Sequence, residues 1–143
     1  MSRPFVATAI VQLAKAGKLD LSDPVTKHLP WFRLADERYR DITIRQIFNH
    51  TSGMPDVEDY EGDKPRFNNA AERYVRSMAS ERLLWAPGAD RAYSNMAFDM
   101  LGDLNGKVSG LSFEDYIKTN ILEPTGLNNS SLPERAFPFR ILR

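Results

Sequence analysis

The chain has 143 residues, with 19 Lys and Arg against 19 Asp and Glu, two His and no Cys. The formal net charge of zero gives no support for a nucleic-acid partner held by a basic face, and the lack of Cys excludes disulfides and thiolate metal ligands from these residues. No apolar run approaches the roughly 20 residues of a membrane span. The length and composition predict one globular domain over residues 1–143.

The first predicted helix covers residues 4–16. Pro4 suits the first helical position, where its missing N–H would have no partner. Gly17 is typical of the residue that ends a helix, with Lys15 near the negative end of the helix dipole. Apolar residues at a spacing of three to four form one stripe along it: Phe5, Val6, Ala9, Ile10, Leu13 and Ala14.

The next segment predicts an extended connector over residues 19–24, followed by a short helix. Thr43 is a candidate N-cap for that helix, which we expect to end at residues 50–53. Residues 54–68 are polar and rich in turn formers, which predicts a long surface loop. Its carboxylates lack an apolar setting and are predicted to form a solvated face: Asp56, Glu58, Asp59, Glu61 and Asp63.

The second half predicts three further helices. Residues 69–80 are amphipathic, and a buried helix is expected to run from Asn95 to near Gly106. Ser112 and Asp115 predict a capping box for a helix over residues 113–122, which Gly126 would close. Only two segments are weak candidates for strands, and they cannot form a sheet. The predicted fold class is therefore mainly α.

Few residues carry an obvious chemistry. The two imidazoles, His28 and His50, lie far apart in the sequence and form no H-E-x-x-H or H-x-x-x-H pattern, so we predict no metal site and no cofactor. No G-x-S-x-G motif marks a nucleophilic serine. For His50, the favoured interpretation is a residue at a helix end that bonds to the backbone.

The tripeptide Tyr93-Ser94-Asn95 follows a Pro-Gly turn and precedes the buried helix. A Tyr hydroxyl shielded from bulk water there is a candidate base, and Asn95 offers both a donor and an acceptor for an amide or carbonyl. A second interpretation stays open, in which Ser94 or Asn95 only caps the helix.

Four blocks give these residues a context. They are PFVATAIVQLAKAGKLDLSDPVTKHLPWF (4–32), ITIRQIFNHTSGMPD (42–56), the PG at 87–88 with YSN at 93–95, and EPTGL (123–127). In their order and spacing they resemble the superfamily of serine β-lactamases and penicillin-binding proteins. The nearest branch is that of class C β-lactamases, D-alanyl-D-alanine carboxypeptidases and related esterases.

The resemblance implies acyl transfer. In that family a Ser in an S-x-x-K motif attacks a carbonyl, the Tyr of a Y-x-N motif helps to move the proton, and water releases the acyl-enzyme. By position, Tyr93 corresponds to the proton-transfer Tyr and Asn95 to the substrate-binding Asn. The HTSG block, residues 50–53, corresponds to a landmark that we interpret as structural.

The sequence departs from the family at both ends. Aligning Phe5 puts Arg3 at the place of the Lys, and an Arg is a poor proton acceptor because its guanidinium stays charged. The nucleophile would then fall immediately before Met1, and Ser2 is no replacement because the residue three positions later is Phe5. No K-T-G motif follows either. We therefore expect the helical domain of the β-lactamase and transpeptidase-like fold, with most of the α/β sheet domain absent.

Three functions follow as hypotheses. The first is a serine hydrolase of the β-lactamase type acting on a β-lactam, a D-Ala peptide or an ester, truncated and catalytically incomplete in this chain. The second is a non-catalytic helical module that binds a partner or a second copy through the exposed domain interface. The third is an esterase with Ser2, Ser52 or Ser94 as nucleophile and His50 or Tyr93 as base.

The expected partner of an active protein is a small-molecule or peptide acyl substrate, without nucleic acid. Localisation stays open between the cytoplasm and export, as the bacterial members implied by the resemblance are often exported.

Overall fold

The computed structural model describes residues 3–56, 70–127 and 129–130. Over these residues the chain is helical and has no strand, only one antiparallel bridge between Pro24 and Thr43. The α-helices are α1 (Arg3–Lys15), α2 (Val25–His28), α3 (Ile44–Phe48), α4 (Ala70–Ser77), α5 (Asn95–Ser109) and α6 (Phe113–Ile117). Shorter helical turns of the 3₁₀ type cover Glu37–Asp41 and Met78–Ser80, and a π-helical turn covers Lys118–Leu122.

Helix α1 forms where its pattern predicted. It buries Val6, Ala9, Ile10 and Leu13, which are four of the six residues of its predicted stripe. Gly17 ends it in the left-handed region at φ 72°. The N–H groups of the two residues that follow Ala16 return to the carbonyls of Ala14 and Leu13, at 3.0 Å each, which satisfies the last carbonyls of the helix.

Helix α3 begins at the predicted cap. The Thr43 side chain accepts from the Gln46 N–H, and the Gln46 side chain accepts in return from the Thr43 N–H, so both orphan donors are satisfied. The predicted connector over residues 19–24 runs beside this cap. The Val25 N–H donates to the Ile42 carbonyl at 2.9 Å, and the Arg45 N–H donates to the Leu21 carbonyl at 2.8 Å.

Two later helices differ in detail from their predictions. The expected end of α5 near Gly106 is wrong: α5 continues to Ser109 and ends at Gly110, whose φ is 76°. Gly106 lies inside the helix. There an added Cβ would lie 3.4 Å from the Leu111 carbonyl oxygen, an ordinary van der Waals contact, so this position does not require glycine.

The helix predicted over residues 113–122 forms as α6 followed by the π-helical turn. Ser112 caps it by accepting from the Asp115 N–H at 3.0 Å. The cap is not the predicted capping box, because the Asp115 carboxylate accepts from the Ser112 hydroxyl at 2.7 Å instead of from a backbone N–H. The helix predicted over residues 69–80 forms as α4 and its 3₁₀ turn, while residue 69 lies outside the described part. Of the predicted loop 54–68, residues 57–68 lie outside the described part.

Helix α5 lies at the centre of the packing. It contacts α1, α2, α3, α4 and α6, and most of its residues are buried. One hydrophobic core therefore joins these helices. Within the described ranges, no helix combines the length and the apolar character that a membrane crossing requires.

A tight turn at residues 50–53 follows α3. His50 adopts a φ of 57° and Gly53 a φ of 76°. At Gly53 an added Cβ would collide with the backbone carbonyl oxygen of Trp85. This position therefore requires glycine for its backbone conformation and for the close approach of a second segment.

That second segment is held by backbone hydrogen bonds. The N–H groups of Leu84, Gly88 and Ala92 donate to the carbonyls of Gly53, Thr51 and His50, at 2.8, 2.7 and 3.0 Å. Residues 84–92 therefore lie alongside the turn at residues 50–53. The chain then begins α5 next to this turn.

The turn can be tested with a matched pair of glycines. Gly17 and Gly53 have nearly the same positive φ, but an added Cβ at Gly17 meets nothing within 4 Å. We expect Gly17→Ala to lower the free energy of unfolding by about 1 kcal/mol from backbone strain alone, and Gly53→Ala by about 3 kcal/mol or more. Urea unfolding measures both, and equal losses would contradict the close approach to Trp85.

Asp103 is a buried carboxyl on the core helix. Its residue is 9% exposed, and Trp31 Nε1–H donates to its Oδ2 at 3.0 Å. Burial raises the pKa of Asp103 to about 6, against the opposing effect of the Trp31 bond. Glu72 adds to the rise, whereas Lys107 and Arg76 oppose it.

The raised pKa of Asp103 predicts a pH-dependent cost. Because the folded pKa lies above the unfolded value of 3.8, the folded state holds this proton more tightly, and stability falls as pH rises from about 4 through about 6. We expect Asp103→Asn, whose amide oxygen still accepts from Trp31, to raise the free energy of unfolding at pH 8 by about 1–3 kcal/mol and to change it little at pH 4.

Asp23 provides the opposite case for the same measurement. Hydrogen bonds from Lys27, from the Asp20 N–H and from His28 lower the pKa of Asp23, so its charge contributes stability above the unfolded value of 3.8. Asp23→Asn should lower the free energy of unfolding at pH 8. Urea unfolding at pH 4 and pH 8 measures both variants. If Asp103→Asn and Asp23→Asn change the free energy of unfolding at pH 8 in the same direction, the opposite roles of the two carboxylates are refuted.

Candidate active site

A hydrogen bond connects the start of α5 to Pro55, which follows the turn at residues 50–53. Ser94 is the N-cap: its Oγ accepts from the Ala97 N–H at 3.0 Å and donates to the Pro55 carbonyl at 2.8 Å. Ser94 is 1% exposed. The capping interpretation of this tripeptide is therefore realised by Ser94, which leaves the side chains on either side of it available for other contacts.

Tyr93 is in contact with two groups that are distant in sequence. The Arg3 guanidinium lies 4.5 Å from the centroid of its ring, and the His50 ring centroid lies at 4.6 Å. A guanidinium at this distance from an aromatic ring is attracted by its π-electrons. The fold thus joins the first residue of α1 to the residue before the cap of α5.

The expected shielding of Tyr93 is wrong for this structure, since the residue is 47% exposed. The reason is its position before the N-cap, outside the buried face of α5. Its hydroxyl donates to Asn95 Oδ1 over 3.5 Å, at the outer limit of a hydrogen bond.

Asn95 is held by a residue that the sequence analysis assigned to a solvated face. Asp56 Oδ1 accepts from the Asn95 backbone N–H, and Asp56 Oδ2 accepts from Asn95 Nδ2, both at 2.7 Å. Asp56 is exposed, as the prediction of a solvated face expected, but its carboxylate also bonds to the start of α5, which that prediction did not include. Its partner lies 39 residues away, so no local pattern distinguished Asp56 from its acidic neighbours.

His50 packs against the Tyr93 ring, with 4.6 Å between the two ring centroids. Burial lowers the pKa of His50, the charges of Arg91 and Arg3 add to the effect, and Asp56 opposes it. The Ser94 N–H points to His50 Nδ1 at 3.5 Å, a contact in which only an unprotonated nitrogen accepts. The backbone-bonded interpretation of His50 agrees with this contact.

The remaining candidates lie apart from an accessible site. Ser52 is 1% exposed, and its Oγ accepts from the Met54 N–H at 3.3 Å. Ser52 and Ser94 therefore serve the backbone, and their hydroxyls do not reach solvent. Ser2 lies outside the described residues. His28 bonds to Asp23 at 2.8 Å, far from Tyr93 along the chain and in a separate cluster.

The site that results has three accessible polar groups on one surface. Arg3 supplies a fixed positive charge beside Tyr93, the Tyr93 hydroxyl is a candidate proton carrier, and Asn95 is a hydrogen-bonding group next to it. Such a set can bind a carbonyl-containing substrate and move a proton.

Comparison with known proteins identifies relatives of this chain. Residues 1–140 match the Beta-lactamase family. Penicillin-binding protein 4* of Bacillus subtilis is 33% identical over 142 residues, which are 94% of this chain and 30% of that protein. The chain thus spans less than a third of the length of this curated relative.

Two solved structures are similar as well. A D-stereospecific amidohydrolase from Streptomyces superposes with a TM-score of 0.73 and 30% identity, over 88% of this chain and 41% of that one. The octameric penicillin-binding protein homologue from Pyrococcus abyssi superposes with a TM-score of 0.65 and 30% identity, over 89% of this chain and 30% of that one. From the family match over nearly its whole length, we conclude that this chain belongs to the Beta-lactamase family of serine β-lactamases and penicillin-binding proteins.

Proposed function

We propose that the chain forms the helical part of a serine hydrolase that transfers an acyl group from an amide, β-lactam or ester to a serine and then to water. Tyr93 is the proton-transfer residue and Asn95 the substrate-binding residue of this site. The acyl-accepting serine belongs three positions before Arg3, ahead of Met1, and a sheet domain completes the pocket. The proposal depends above all on one observation, the stacking of Arg3 on Tyr93 at 4.5 Å across 90 residues of sequence.

That stacking supports the assignment because the resemblance pairs these two positions in function. A catalytic Lys one helical turn after the nucleophile would lie where Arg3 lies, against the Tyr of the Y-x-N motif. Arg3 preserves the positive charge there, which favours negative charge on the Tyr93 oxygen, but it cannot take up a proton. The proposal therefore assigns the proton transfer to Tyr93 and not to Arg3.

The names of two relatives support acyl-transfer chemistry as the proposed function. One is named for binding penicillin and another for hydrolysing amides with D-stereospecificity. The choice among β-lactam, peptide and ester substrates is part of the proposal. Self-association is a second candidate function, favoured by the octameric homologue and by large apolar side chains that are exposed here: Val11, Leu84, Leu111 and Leu127.

A chimera tests the proposed roles. Residues 3–130 of this chain would replace the matching segment of penicillin-binding protein 4*, which keeps that protein's own flanking residues. We expect slow acylation by a fluorescent penicillin with Arg3, and acylation at least about a hundredfold faster with Arg3→Lys, because a proton acceptor beside the nucleophile contributes about 10²–10⁴-fold. Intact-mass spectrometry measures the acyl-enzyme.

Two variants make the outcome decisive. In the Arg3→Lys chimera, Tyr93→Phe should reduce acylation about a hundredfold or more, whereas Tyr74→Phe, an aromatic change on α4, should leave it unchanged. A chimera that folds, as judged by circular dichroism, and is acylated equally with Tyr93→Phe would contradict the role of Tyr93. A folded chimera without any acylation would favour the self-associating module.

A further inference from the structure

Asn105 places an amide side chain in the hydrophobic core. The residue is fully buried, and among the residues that the structure describes neither its Nδ2 nor its Oδ1 has a hydrogen-bond partner. An amide that is buried in this way loses its bonds to solvent and gains none in return. Since buried polar side chains in folded proteins are nearly always hydrogen-bonded, Asn105 points to a ligand in the core.

Gln12 on α1 has a second buried atom of the same kind. Its Nε2 donates to the Asn120 carbonyl at 3.1 Å. A carbonyl oxygen only accepts, so this bond fixes the orientation of the Gln12 amide and leaves Oε1 for another partner. Gln12 Oε1 is buried, and no donor lies within hydrogen-bond distance of it in the described part of the chain.

The two amides lie at similar positions along two neighbouring helices. Helices α1 and α5 contact each other, and Arg3 at the start of α1 stacks on Tyr93 just before the start of α5. At a rise of about 1.5 Å per residue, Gln12 lies about 14 Å along α1 and Asn105 about 15 Å along α5. Because the helices begin side by side, these two residues are at about the same depth in the core.

We propose that one internal water molecule binds between α1 and α5, held by Gln12 and Asn105. The water donates to Gln12 Oε1 and to Asn105 Oδ1, and it accepts from Asn105 Nδ2. These are about the three hydrogen bonds that a buried water usually makes. The water site connects the helix that carries Arg3 to the helix that follows Tyr93, away from the candidate active site.

The chemistry of the three atoms favours water over other ligands. The set combines two acceptors with one donor, all of them uncharged, and water offers both donors and acceptors. A cation would face the Asn105 NH₂ group, and an anion would face two carbonyl oxygens. A direct bond from Asn105 Nδ2 to Gln12 Oε1 would leave Asn105 Oδ1 without a partner, at the cost of burying it unpaired.

Nuclear magnetic resonance of the full, isotopically labelled chain tests the site without any variant. We expect nuclear Overhauser contacts from water to the β-protons of Asn105, which do not exchange with solvent. Ile47 is the matched control, because it is as fully buried as Asn105 and has no polar side-chain atom. Its methyl protons should show no contact with water.

A double-mutant cycle tests whether the two amides share the water. Urea unfolding would be measured for Gln12→Leu, for Asn105→Leu and for the double variant. The change in the unfolding equilibrium constant of the double variant should be about tenfold smaller than the product of the single changes, because the first substitution already removes the shared bonds.

Asn49→Leu provides the control for this cycle. Asn49 is exposed and follows α3, so its effect should simply multiply with that of Gln12→Leu. Absence of water contacts at Asn105 in the folded chain would overturn the proposal, whether or not the variants fold. Coupling without water contacts would mean a direct bond between the amides, and water contacts without coupling would mean that Gln12 does not hold the water. Either result would contradict the proposed site.

Discussion

The connection between residues 50–56 and the start of α5 determines where the candidate site lies. Glycine at position 53 allows residues 84–92 to approach closely, and backbone hydrogen bonds then lead the chain to the helix cap. Ser94 and Asp56 satisfy N–H groups at the helix start that would otherwise lack partners. Because α5 is the central helix of the core, this connection fixes the polar residues at its N-terminus relative to α1.

In the proposed site, Arg3 lies beside Tyr93 at the position where the resemblance implies a Lys that accepts a proton. An Arg keeps the positive charge and the aromatic contact, but it offers no lone pair at any working pH. Tyr93 is also half exposed, so solvent competes for its hydroxyl in the part of the protein that the structure describes. A sheet domain packed over this surface would exclude that water and strengthen each polar contact.

Local signals in the sequence predicted much of the helical architecture. The Thr43 cap with Gln46 and the Gly17 stop were both predictable, because each depends on residues within a few positions. The end of α5 was not, because Gly106 and Gly110 are equally plausible stops in sequence, and only the fold shows that Gly110 takes the left-handed φ of 76°.

The site was only partly predictable for the same reason. The resemblance identified Tyr93 and Asn95 and put Arg3 at the lysine position, and the structure brings these three together. The role of Asp56 required a contact across 39 residues, and no spacing rule distinguishes it from Glu58 or Asp59. The buried Asp103 was likewise missed, since its partner Trp31 lies on a distant segment.

We propose above all that Tyr93 and Asn95 are the proton-transfer and substrate-binding groups of an acyl-transfer site, and that no serine of these 143 residues is its nucleophile. The most direct measurement is the intact mass of the purified, folded chain after incubation with a fluorescent penicillin and, separately, with a reactive fluorophosphonate. We expect no adduct with either reagent. A stoichiometric adduct on one serine would contradict it, and would mean that the chain carries its own nucleophile.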